Sequence, residues 1–372
     1  MRIGIDARFY GPVGKGLGRY TEKLVEYLER VAGSDDEFFI FLRKENFDRY
    51  VPKNAQFTKV LADYPWYTFR EQLFLPFLLY RYTLDLVHFP HFNVPILYRK
   101  PFVVTIHDLI LFHFPTIRNT TRNRLTYMLK YFAYQVAIVS AIRRAKTILT
   151  VSMFTERDIL TEFPFAKGRI VIAYEGCDFE ADNDVSTGSE LGPNHGILLP
   201  YFLYVGNAYP HKNLGAFVPL AMRFPEVRFV LVGKDDHFYK RLREEVALAG
   251  IRNIDFAGYV PDHELAGLYR AATGYIFPSL YEGFGLPPLE AMRSGTPVIA
   301  ADRGSLPEIL GDAALFFDPD DKDSLALCVE SVLHDPLLAS ELSRKGRAHV
   351  DSFRWEDMAE TTLRTYHDTV ST

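Results

Sequence analysis

Short apolar runs alternate with longer amphipathic segments through the first half of the chain. The first run, at 2–6, is followed by a glycine-rich stretch at 11–18 and then by apolar residues at helical spacing. Spacings of four, seven and eight residues place side chains on one face of a helix. That face comprises Tyr20, Leu24, Tyr27, Leu28 and Val31. Further buried strands are predicted at 38–42, 84–89, 102–106 and 147–151.

A polar, turn-rich segment that begins at Phe179 interrupts this alternation and is typical of a linker. Helices are predicted to open at Asn213 and Asp262 as N-caps and at Pro287 as a first-turn proline. The tail after Asp320 is predicted to be helical to its end. Strands resume after the linker at 201–205, 228–232, 254–257, 275–277 and 297–300.

Continuous apolar strands separated by helices are typical of parallel sheets that are covered on both faces. The two successive sets of strands and helices therefore predict an α/β fold with two doubly wound, Rossmann-like domains and an interdomain cleft. The predicted domains are 1–178 and 200–354, and the predicted linker is 179–199. Ligands bind such sheets beyond the carboxyl ends of the strands, so the candidate chemistry is expected there.

Composition narrows the class of protein. The 372 residues are enough for two or three domains of about 150 residues each. The net charge of −5 argues against a dedicated nucleic-acid binder. Two cysteines, Cys177 and Cys328, form neither a metal-type pair nor a disulfide framework, so a reducing, cytoplasmic compartment is expected. No apolar run approaches 18 residues, and neither a transmembrane helix nor a signal peptide is expected.

The most informative segment runs from the predicted strand at 275–277 into a helix. Gly283 and Gly285 allow the backbone to approach a ligand closely, and the N–H groups at a helix start favour an anion such as phosphate. Glu282 precedes that helix and Glu290 lies about one turn inside it. Because carboxylates accept hydrogen bonds from pairs of hydroxyls, the arrangement suits a sugar diphosphate. Taken alone, the pair is more typical of a glycine turn and an ordinary surface glutamate near a helix start.

The sequence around this pair resembles a family signature. PSLYEGFGLP at 278–287, followed by GTPVIA at 295–300, is similar to the signature of the retaining nucleotide-sugar glycosyltransferases of family GT4, which have the two-domain GT-B fold. The resemblance runs nearly end to end, and within the family it is greatest to mannosyltransferase-like members of bacterial polysaccharide assembly. The other motifs are GIDAR at 4–8, GLGRY at 16–20, HDL at 107–109, VSMFT at 151–155, VGN at 205–207, PHKN at 210–213 and LVG at 231–233.

The resemblance implies a role for each carboxylate. In this family the first glutamate of the pair binds the donor sugar and the second binds the nucleotide ribose, which assigns these roles to Glu282 and Glu290. The sugar and diphosphate would also be bound by backbone N–H groups around Gly283, Phe284, Gly285 and Leu286.

The resemblance also implies the reaction. A hexose moves from a nucleoside diphosphate sugar to an acceptor hydroxyl with retention at the anomeric carbon, and the leaving phosphate helps to take the acceptor proton. No enzymic nucleophile, cofactor or metal is expected. GDP-mannose is the first choice of donor, with UDP-glucose or UDP-N-acetylglucosamine next. Residues 1–178 would bind the acceptor and 200–354 the donor, and the helix at 355–372 would cross back to the first domain.

Residues after the strand at 201–205 complete the expected donor site. Lys212 lies before the next helix, where its ammonium can neutralise a departing diphosphate; the alternative is a solvated lysine in a first turn. Gly206 and Asn207 follow the strand directly. Many family members carry an arginine after this glycine, so the neutral Asn207 leaves the diphosphate to Lys212, to the helix start or to another cation.

His107 directly follows the strand at 102–106, at the expected ligand edge of the first sheet. In family members with this His-Asp pair the histidine often lies near the donor sugar and the reacting centre, which makes His107 a candidate catalytic residue. The alternative is a histidine that hydrogen-bonds within the fold. Three further polar residues follow the strand at 84–89, and for them acceptor contacts or packing are preferred to a metal. They are His88, His91 and Asn93.

The glycine-rich loop at 14–19 is not the strict dinucleotide-binding fingerprint. In this family the equivalent loop reaches toward the donor phosphate or the acceptor, so Gly16, Lys15 and Arg19 are candidate contacts. Two other classes of protein remain open. A nicotinamide oxidoreductase requires a strict glycine fingerprint with an acid about 20 residues on, which is not found. A non-catalytic sugar-nucleotide binding module could keep the pocket without turnover.

From Leu109 to Thr155 the chain has no acidic residue, and aromatic residues are frequent both there and at 66–82. One interpretation is a long core helix with a solvated basic face. The other is peripheral docking on the anionic inner face of the plasma membrane, where each basic residue contributes about 1 kcal/mol. The acceptor would then be a saccharide linked to a lipid such as a polyprenyl chain. The basic residues are Arg118, Arg122, Arg124, Lys130, Arg143, Arg144 and Lys146.

Overall fold

The computed structural model describes residues 1–115, 124–179 and 200–371, except for the side chains of Val13, Lys15 and 124–127. The chain divides into two compact units. Unit 1 comprises Met1–Gly176 and Arg354–Thr372, and unit 2 comprises Cys177–Phe353. Apart from Phe179, the predicted linker at 179–199 lies outside the described residues.

Unit 1 is built on a sheet of seven parallel strands, and its middle strands are buried along their length. The strands are β1 (Arg2–Asp6), β2 (Glu37–Leu42), β3 (Phe57–Leu61), β4 (Leu86–Phe89), β5 (Phe102–Ile106), β6 (Thr147–Thr150) and β7 (Ile170–Ile172). Their order is β3-β2-β1-β4-β5-β6-β7. The chain builds outward in one direction from β1 and then in the other from β4, so the topological switch point lies between these two strands.

Among the described residues of Met1–Gly176, the helices are α1 (Lys15–Val31), α2 (Phe69–Arg81), α3 (Ile110–His113), α4 (Arg124–Arg144) and α5 (Met153–Glu162). The prediction of a glycine-rich loop at 14–19 is wrong, because α1 begins at Lys15 and includes Gly16 and Arg19. The physical reason is close packing at Gly18, where a Cβ atom would lie 2.0 Å from the carbonyl oxygen of Gly11. The missing side chain allows the first turns of α1 to contact the backbone that follows β1.

Unit 2 contains a second parallel sheet, of six strands. They are β8 (Tyr201–Val205), β9 (Arg228–Val232), β10 (Ile254–Gly258), β11 (Gly274–Phe277), β12 (Val298–Ala301) and β13 (Ala314–Phe317). The order β10-β9-β8-β11-β12-β13 puts the topological switch point between β8 and β11. Both units are therefore doubly wound α/β sheets, as the apolar pattern predicts.

The helices of unit 2 are α6 (Phe217–Arg223), α7 (His237–Leu248), α8 (Asp262–Ala271), α9 (Leu286–Arg293), α10 (Leu306–Leu310), α11 (Ser324–His334) and α12 (Pro336–Val350). Pro287 lies in the first turn of α9, as predicted. The two predicted N-caps are wrong. Asn213 adopts a left-handed conformation between two short 3-10 turns, and α6 begins only at Phe217. Asp262 is the first residue of α8 rather than its cap, a position held by Pro261.

The last helix, α13 (Trp355–Ser371), belongs to unit 1 and packs along α1. Trp355 and Tyr366 are among its fully buried side chains. Gly176 allows close contact at the start of this helix, since a Cβ atom there would lie 2.1 Å from the backbone nitrogen of Trp355. The tail predicted to be helical is thus three helices, and only the last lies in unit 1.

Three strands are missing from the sequence prediction, and all lie at sheet edges: β3, β7 and β13. An edge strand is covered on fewer sides than a central one, so its sequence need not be a continuous apolar run. In β3 (FTKVL), two of the five positions are exposed and one is half-buried. The apolar pattern identifies the central strands because burial on both faces fixes their composition.

Candidate active site

Unit 2 brings Lys212 and Glu282 together at its topological switch point. Lys212 lies in the loop after β8 and Glu282 in the loop after β11, and these two strands pair in parallel. The Lys212 Nζ and Glu282 Oε1 atoms are 2.5 Å apart, and both side chains are largely buried. Parallel pairing places both loops at the same edge of the sheet, so residues 70 apart in the chain form one ion pair.

Hydrogen bonds between the two loops hold this pair in place. The backbone N–H of Leu280 donates to the carbonyl oxygen of His211 at 2.7 Å, and the Ser279 hydroxyl donates to the same oxygen. Burial and the neighbouring Lys212 cation lower the pKa of His211 to about 4, so this ring is neutral at pH 7. Lys212 and Glu282 therefore carry the charge where the two loops meet.

The other side of the Glu282 loop is fixed by the segment before α10. The Ser305 N–H donates to the carbonyl oxygen of Glu282 at 3.3 Å, and the Ser305 hydroxyl donates to that of Phe284 at 2.9 Å. Gly285 turns the chain into α9 with a φ of +103°. A side chain at Gly285 would be strained by this φ and crowded by Leu306 Cδ2, 3.0 Å from the Cβ position.

The start of α9 has few backbone hydrogen-bond donors beyond the 283–286 segment named in the sequence prediction. The first three helical residues are Leu286, Pro287 and Pro288. Proline has no N–H, so of these three only Leu286 can donate a backbone hydrogen bond to an anion. The first turn of α9 therefore offers few backbone N–H groups to an anion.

Glu290 lies inside α9, and its side chain is 5% exposed. Its Oε2 atom accepts a hydrogen bond from the hydroxyl of Tyr269, on α8, at 3.2 Å. Burial, followed by the Glu290 charge, raises the pKa of Tyr269 well above its ordinary value. The phenol thus remains protonated and orients the carboxylate of Glu290.

Gly206 and Asn207 lie directly after β8, and tyrosine hydroxyls anchor both of their carbonyl groups. Tyr239 donates to the Gly206 oxygen at 2.9 Å, and Tyr204 donates to the Asn207 oxygen at 2.7 Å. The side-chain oxygen of Asn207 accepts a hydrogen bond from the backbone N–H of Tyr209. This turn leaves the Asn207 side chain exposed at the same sheet edge as Lys212.

In unit 1, His107 lies directly after β5, and both of its ring nitrogens have neighbours. Nδ1 is 3.2 Å from Glu175 Oε1, and Nε2 is 3.0 Å from the carbonyl oxygen of Pro90. The ring of Tyr20 meets the imidazole edge-on at a centroid distance of 4.5 Å. His107 is therefore hydrogen-bonded within its own unit. This geometry is the one expected for the alternative interpretation, a histidine that hydrogen-bonds within the fold.

Sequence reasoning misses Glu175, whose side chain is largely buried against His107. No motif quoted for the family contains it, and 68 residues separate the two partners. A short apolar run, β7, ends three residues before Glu175 and could have located it at the carboxyl edge of the sheet. Because that run is only three residues long, the pattern does not reveal it.

A chain of buried hydrogen bonds links α13 to the neighbourhood of His107. The Tyr366 hydroxyl lies 2.6 Å from His88 Nδ1, and His88 Nε2 lies 2.8 Å from the Thr105 hydroxyl. That hydroxyl in turn lies 3.2 Å from the hydroxyl of Tyr20. Burial, and to a lesser degree the charge of His107, lower the pKa of His88 to about 3. These contacts hold His88 within the fold, which corresponds to packing, one of its two expected roles.

A second buried cluster lies after β1. The Arg8 guanidinium binds both carboxylate oxygens of Asp6 at 2.7 Å and the Oε1 atom of Glu71 at 2.6 Å. Asn93 donates to the same Glu71 oxygen at 2.6 Å. Of the three polar residues expected after this strand, His88 lies within β4, and Asn93 and His91 follow it. His91 is surrounded by aromatic rings, and burial lowers its pKa to about 3.

The remaining candidates of unit 1 are less defined. Gly16 is exposed and Arg19 half-buried in the first turns of α1. The side chains of Lys15 and Arg124 lie outside the described residues, as do Arg118 and Arg122 altogether.

Within the described ranges, one group of His, Asp and Glu side chains has metal-ligand spacing, and it contains none of the predicted site residues. Its members are His113, Asp158 and Glu162. His113 Nε2 already lies within 2.9 Å of both oxygens of Asp158. Over the same ranges, every helix is too short or too polar to cross a bilayer.

Two protein-family models match the chain, one in each half. The model described as Glycosyltransferase Family 4 matches residues 14–181. The model described as Glycosyl transferases group 1 matches residues 198–349.

Similar proteins extend these matches across most of the chain. O-antigen chain mannosyltransferase B of Escherichia coli is 32% identical over 289 residues, which cover 75% of this chain and 73% of that protein. O-antigen chain mannosyltransferase RfbU of Salmonella typhimurium is 26% identical over 333 residues, covering 87% and 88%. The solved structure of sucrose-phosphate synthase from Thermosynechococcus elongatus matches with a TM-score of 0.77 at 21% identity, over 100% of this chain and 99% of that one.

Proposed function

This chain belongs to the group 1, family 4 glycosyltransferases with the GT-B fold, and we propose that it transfers mannose from GDP-mannose to a saccharide acceptor with retention at the anomeric carbon. The two relatives described above are O-antigen mannosyltransferases, which supports mannose as the sugar and a surface polysaccharide as the product. The observation that carries the proposal is the Lys212–Glu282 pair at the switch point of unit 2, where doubly wound sheets bind their ligands.

Each side chain of this site has a proposed task. The Glu282 carboxylate accepts hydrogen bonds from hydroxyls of the donor sugar, and the Lys212 ammonium binds the diphosphate. Lys212 then exchanges the Glu282 carboxylate for a phosphate, which is also an anion, whereas Glu282 exchanges the Lys212 ammonium for neutral hydroxyls. Glu290, oriented by Tyr269, accepts hydrogen bonds from the ribose hydroxyls. Gly206, Asn207 and the 283–286 backbone line the donor.

The proposed chemistry is a front-face displacement that needs no enzymic nucleophile and no metal. The acceptor oxygen bonds to the anomeric carbon as the bond from that carbon to the phosphate oxygen breaks. The bonding electron pair leaves with the diphosphate, whose oxygen takes the acceptor proton. Negative charge therefore grows on the diphosphate, and a fixed cation such as Lys212 stabilises that charge most in the transition state.

A donor panel tests this proposal. The purified protein is incubated with GDP-mannose, UDP-glucose or UDP-N-acetylglucosamine, with and without saccharide acceptors, and nucleotide release and product configuration are measured. We expect release of GDP from GDP-mannose and an α-linked product, because the donor is α-linked. Turnover of a UDP-sugar alone would replace the proposed donor, and an inverted linkage would overturn retention. Binding without turnover of any donor would favour a sugar-nucleotide binding module.

A thermal-shift series identifies the base independently of any acceptor. A ligand at 100 times its Kd stabilises the protein by about 2.7 kcal/mol. We expect GDP to raise the Tm more than UDP, ADP or CMP at equal concentration. A larger shift with UDP would contradict the choice of guanosine and direct the panel to UDP-sugars.

The proposed acceptor is a lipid-linked saccharide, and a surface of unit 1 supports this choice. Helices α2 and α4 share one hydrophobic cluster, and the loop at 95–97 connects them: Gln72 accepts from the Ile96 N–H, and Arg144 donates to the Ile96 carbonyl. Apolar residues on the outside of these elements remain exposed. We name them the α2–α4 surface: Phe69, Leu73, Phe74, Phe77, Ile96, Leu97, Met128, Leu129, Phe132 and Val136.

Charge favours a bilayer as the occupant of the α2–α4 surface. Helix α4 carries Lys130, Arg143 and Arg144 and has no acidic residue, and Arg70 and Arg81 lie on α2. Apolar side chains with basic neighbours fit the boundary between acyl chains and anionic head groups. Bound in this way, the protein would meet a polyprenyl-linked acceptor at the inner face of the plasma membrane.

Vesicle co-sedimentation tests the docking. At low salt we expect stronger binding to vesicles with phosphatidylglycerol than to pure phosphatidylcholine, because each basic residue at the surface contributes about 1 kcal/mol, or about fivefold in affinity. Phe77→Glu and Lys130→Glu should weaken this binding. The controls in unit 2, Leu337→Glu and Lys322→Glu, also replace exposed residues and should leave it unchanged. Equal binding to both vesicles, or equal loss with the controls, would overturn the proposal.

A further inference from the structure

Both ring nitrogens of His107 face hydrogen-bond acceptors. Nδ1 lies 3.2 Å from a carboxylate oxygen of Glu175, and Nε2 lies 3.0 Å from the carbonyl oxygen of Pro90. Neither acceptor can itself donate, since a peptide carbonyl has no proton and an ionised carboxylate has none either. The two acceptors lie in the segments that follow β4 and β7, so tertiary structure imposes this arrangement.

A neutral imidazole cannot satisfy both contacts. It has one N–H and one nitrogen with a lone pair, so one of the two nitrogens would face an acceptor with no proton between them. The imidazolium ion has an N–H on both nitrogens and can donate to both. A buried polar contact that lacks its hydrogen bond is unfavourable, so the doubly protonated ring is the form that fits this site.

The charges around His107 act in the same direction. Burial by itself lowers the pKa of His107, but the Glu175 carboxylate, the Pro90 carbonyl and Asp108 outweigh it, and the pKa is raised. The other titratable rings nearby are His88 on β4 and His91 after it, both with lowered pKa values, and Tyr20 on α1, with a raised one. These three are uncharged at pH 7, so the carboxylates decide the charge of His107.

We propose that Glu175 is a positioning residue that holds His107 as an imidazolium cation at the carboxyl end of β5. His107 then has no lone pair with which to accept the proton of an acceptor hydroxyl. Its contribution to the reaction is fixed positive charge and a fixed ring orientation, not general base catalysis. The catalytic part of this inference rests on the proposed function, in which the departing phosphate takes that proton. The inference that the His107 ring is charged does not rest on the proposed function.

Nitrogen NMR of the histidine side chains tests the charge without any donor or acceptor. In the wild-type protein at pH 7.5 we expect both ring nitrogens of His107, assigned with His107→Gln, to show the shifts of protonated nitrogens. Glu175→Gln keeps an acceptor oxygen but removes the negative charge. His107 in this variant should therefore lose its second ring proton at a lower pH than in the wild type. At a pH above the pKa of His107, each unit by which the substitution lowers that pKa reduces the protonated fraction about tenfold. Glu175→Asp should restore part of the wild-type behaviour.

The control and the kinetics separate positioning from a general structural effect. Glu37→Gln removes an exposed carboxylate at the amino end of β2, paired with Arg2, and should leave the His107 titration unchanged. Once the donor is known, Glu175→Gln should shift the alkaline limb of kcat to lower pH and change KM little. The proposal fails if wild-type His107 is neutral at pH 7.5, or if Glu175→Gln titrates like wild type. Failure of every donor to react would leave the NMR result standing and contradict only the proposed function.

Discussion

The carboxyl edges of the two sheets are built in different ways. In unit 2 the edge at the topological switch point carries the Lys212–Glu282 ion pair, and each partner lies in a segment that follows a strand. In unit 1 the equivalent edge holds buried polar clusters around Arg8, His88 and His107. Their partners are far away in the chain, up to the 278 residues that separate His88 from Tyr366.

This difference indicates two kinds of task. At the switch point of unit 2, an anion can replace the Glu282 carboxylate as the partner of Lys212 while the backbone hydrogen bonds of both loops stay in place. An edge of buried rings and ions, already hydrogen-bonded to one another, resists rearrangement because any broken contact leaves a desolvated polar group. We therefore expect substitutions in the unit 2 edge to change ligand binding and turnover. Substitutions in the unit 1 edge should change stability and the protonation of His107.

Glu282→Gln should have the largest effect on kcat/KM. A small effect would contradict the expected difference between the edges of the two sheets. Loss of a charged hydrogen bond to the ligand costs about 1.5–3 kcal/mol, which is more than tenfold in kcat/KM when it is expressed in the transition state. The Tm should change little, because the amide can still accept from Lys212. Steady-state kinetics and thermal unfolding measure both quantities. Glu244→Gln, at an exposed position of α7, is the matched control. Unchanged kcat/KM would remove Glu282 from the site.

Lys212→Ala should weaken diphosphate binding by about tenfold, which corresponds to about 1.4 kcal/mol. The reason is that Lys212 is the positively charged partner of the Lys212–Glu282 pair. The start of α9 contributes few donors, because two of its first three residues are prolines. Isothermal titration with GDP and with guanosine makes the measurement, or with the matching pair of the base found by thermal shift. The nucleoside should lose much less affinity than the diphosphate. Equal losses for both ligands would contradict a phosphate role.

Much of the fold can be predicted from the sequence because burial on both faces imposes continuous apolar runs. The strands β1, β5, β8 and β9 have the predicted bounds, and both sheets are parallel as expected. The edge strands and the start of α1 cannot be predicted in this way. Edge strands need little apolar surface, and the packing of Gly18 against Gly11 depends on a contact that no local pattern contains.

The same distinction applies to the candidate site. Lys212 and Glu282 lie within short local motifs, so the family resemblance and the strand-end rule find both of them. Glu175 and Tyr366 act only through tertiary contacts with His107 and His88, and neither belongs to a recognisable motif. Sequence reasoning therefore identifies residues by the loops that carry them. It cannot find a partner whose only signal is its position in the folded chain.

Tyr366→Phe tests whether the edges of the two sheets are independent. It removes only a hydroxyl from the last helix of unit 1 and leaves the ring in place. Removal of the hydroxyl breaks the 2.6 Å contact with His88 and should lower the free energy of unfolding by about 1 kcal/mol. Urea denaturation measures this loss. The affinity for GDP, or for whichever nucleotide binds, should be unchanged, since all of the proposed donor contacts lie in unit 2. A parallel loss of nucleotide affinity would show that the two edges are not independent.

The smallest expected effect is the pH dependence of the stabilisation by Glu175. The pKa of His107 is raised in the folded protein above the ordinary value of about 6.5, so the folded state binds this proton more tightly than the unfolded state. The stabilisation is complete below about pH 6.5 and is lost as the pH rises through the raised pKa. The difference in Tm between wild type and Glu175→Gln should therefore be largest near pH 6 and shrink toward pH 9, whereas the difference for Glu37→Gln should show no such trend. A Glu175→Gln difference that grows with pH would mean that Glu175 stabilises a neutral ring, and the edge of unit 1 would then carry no fixed cation at His107.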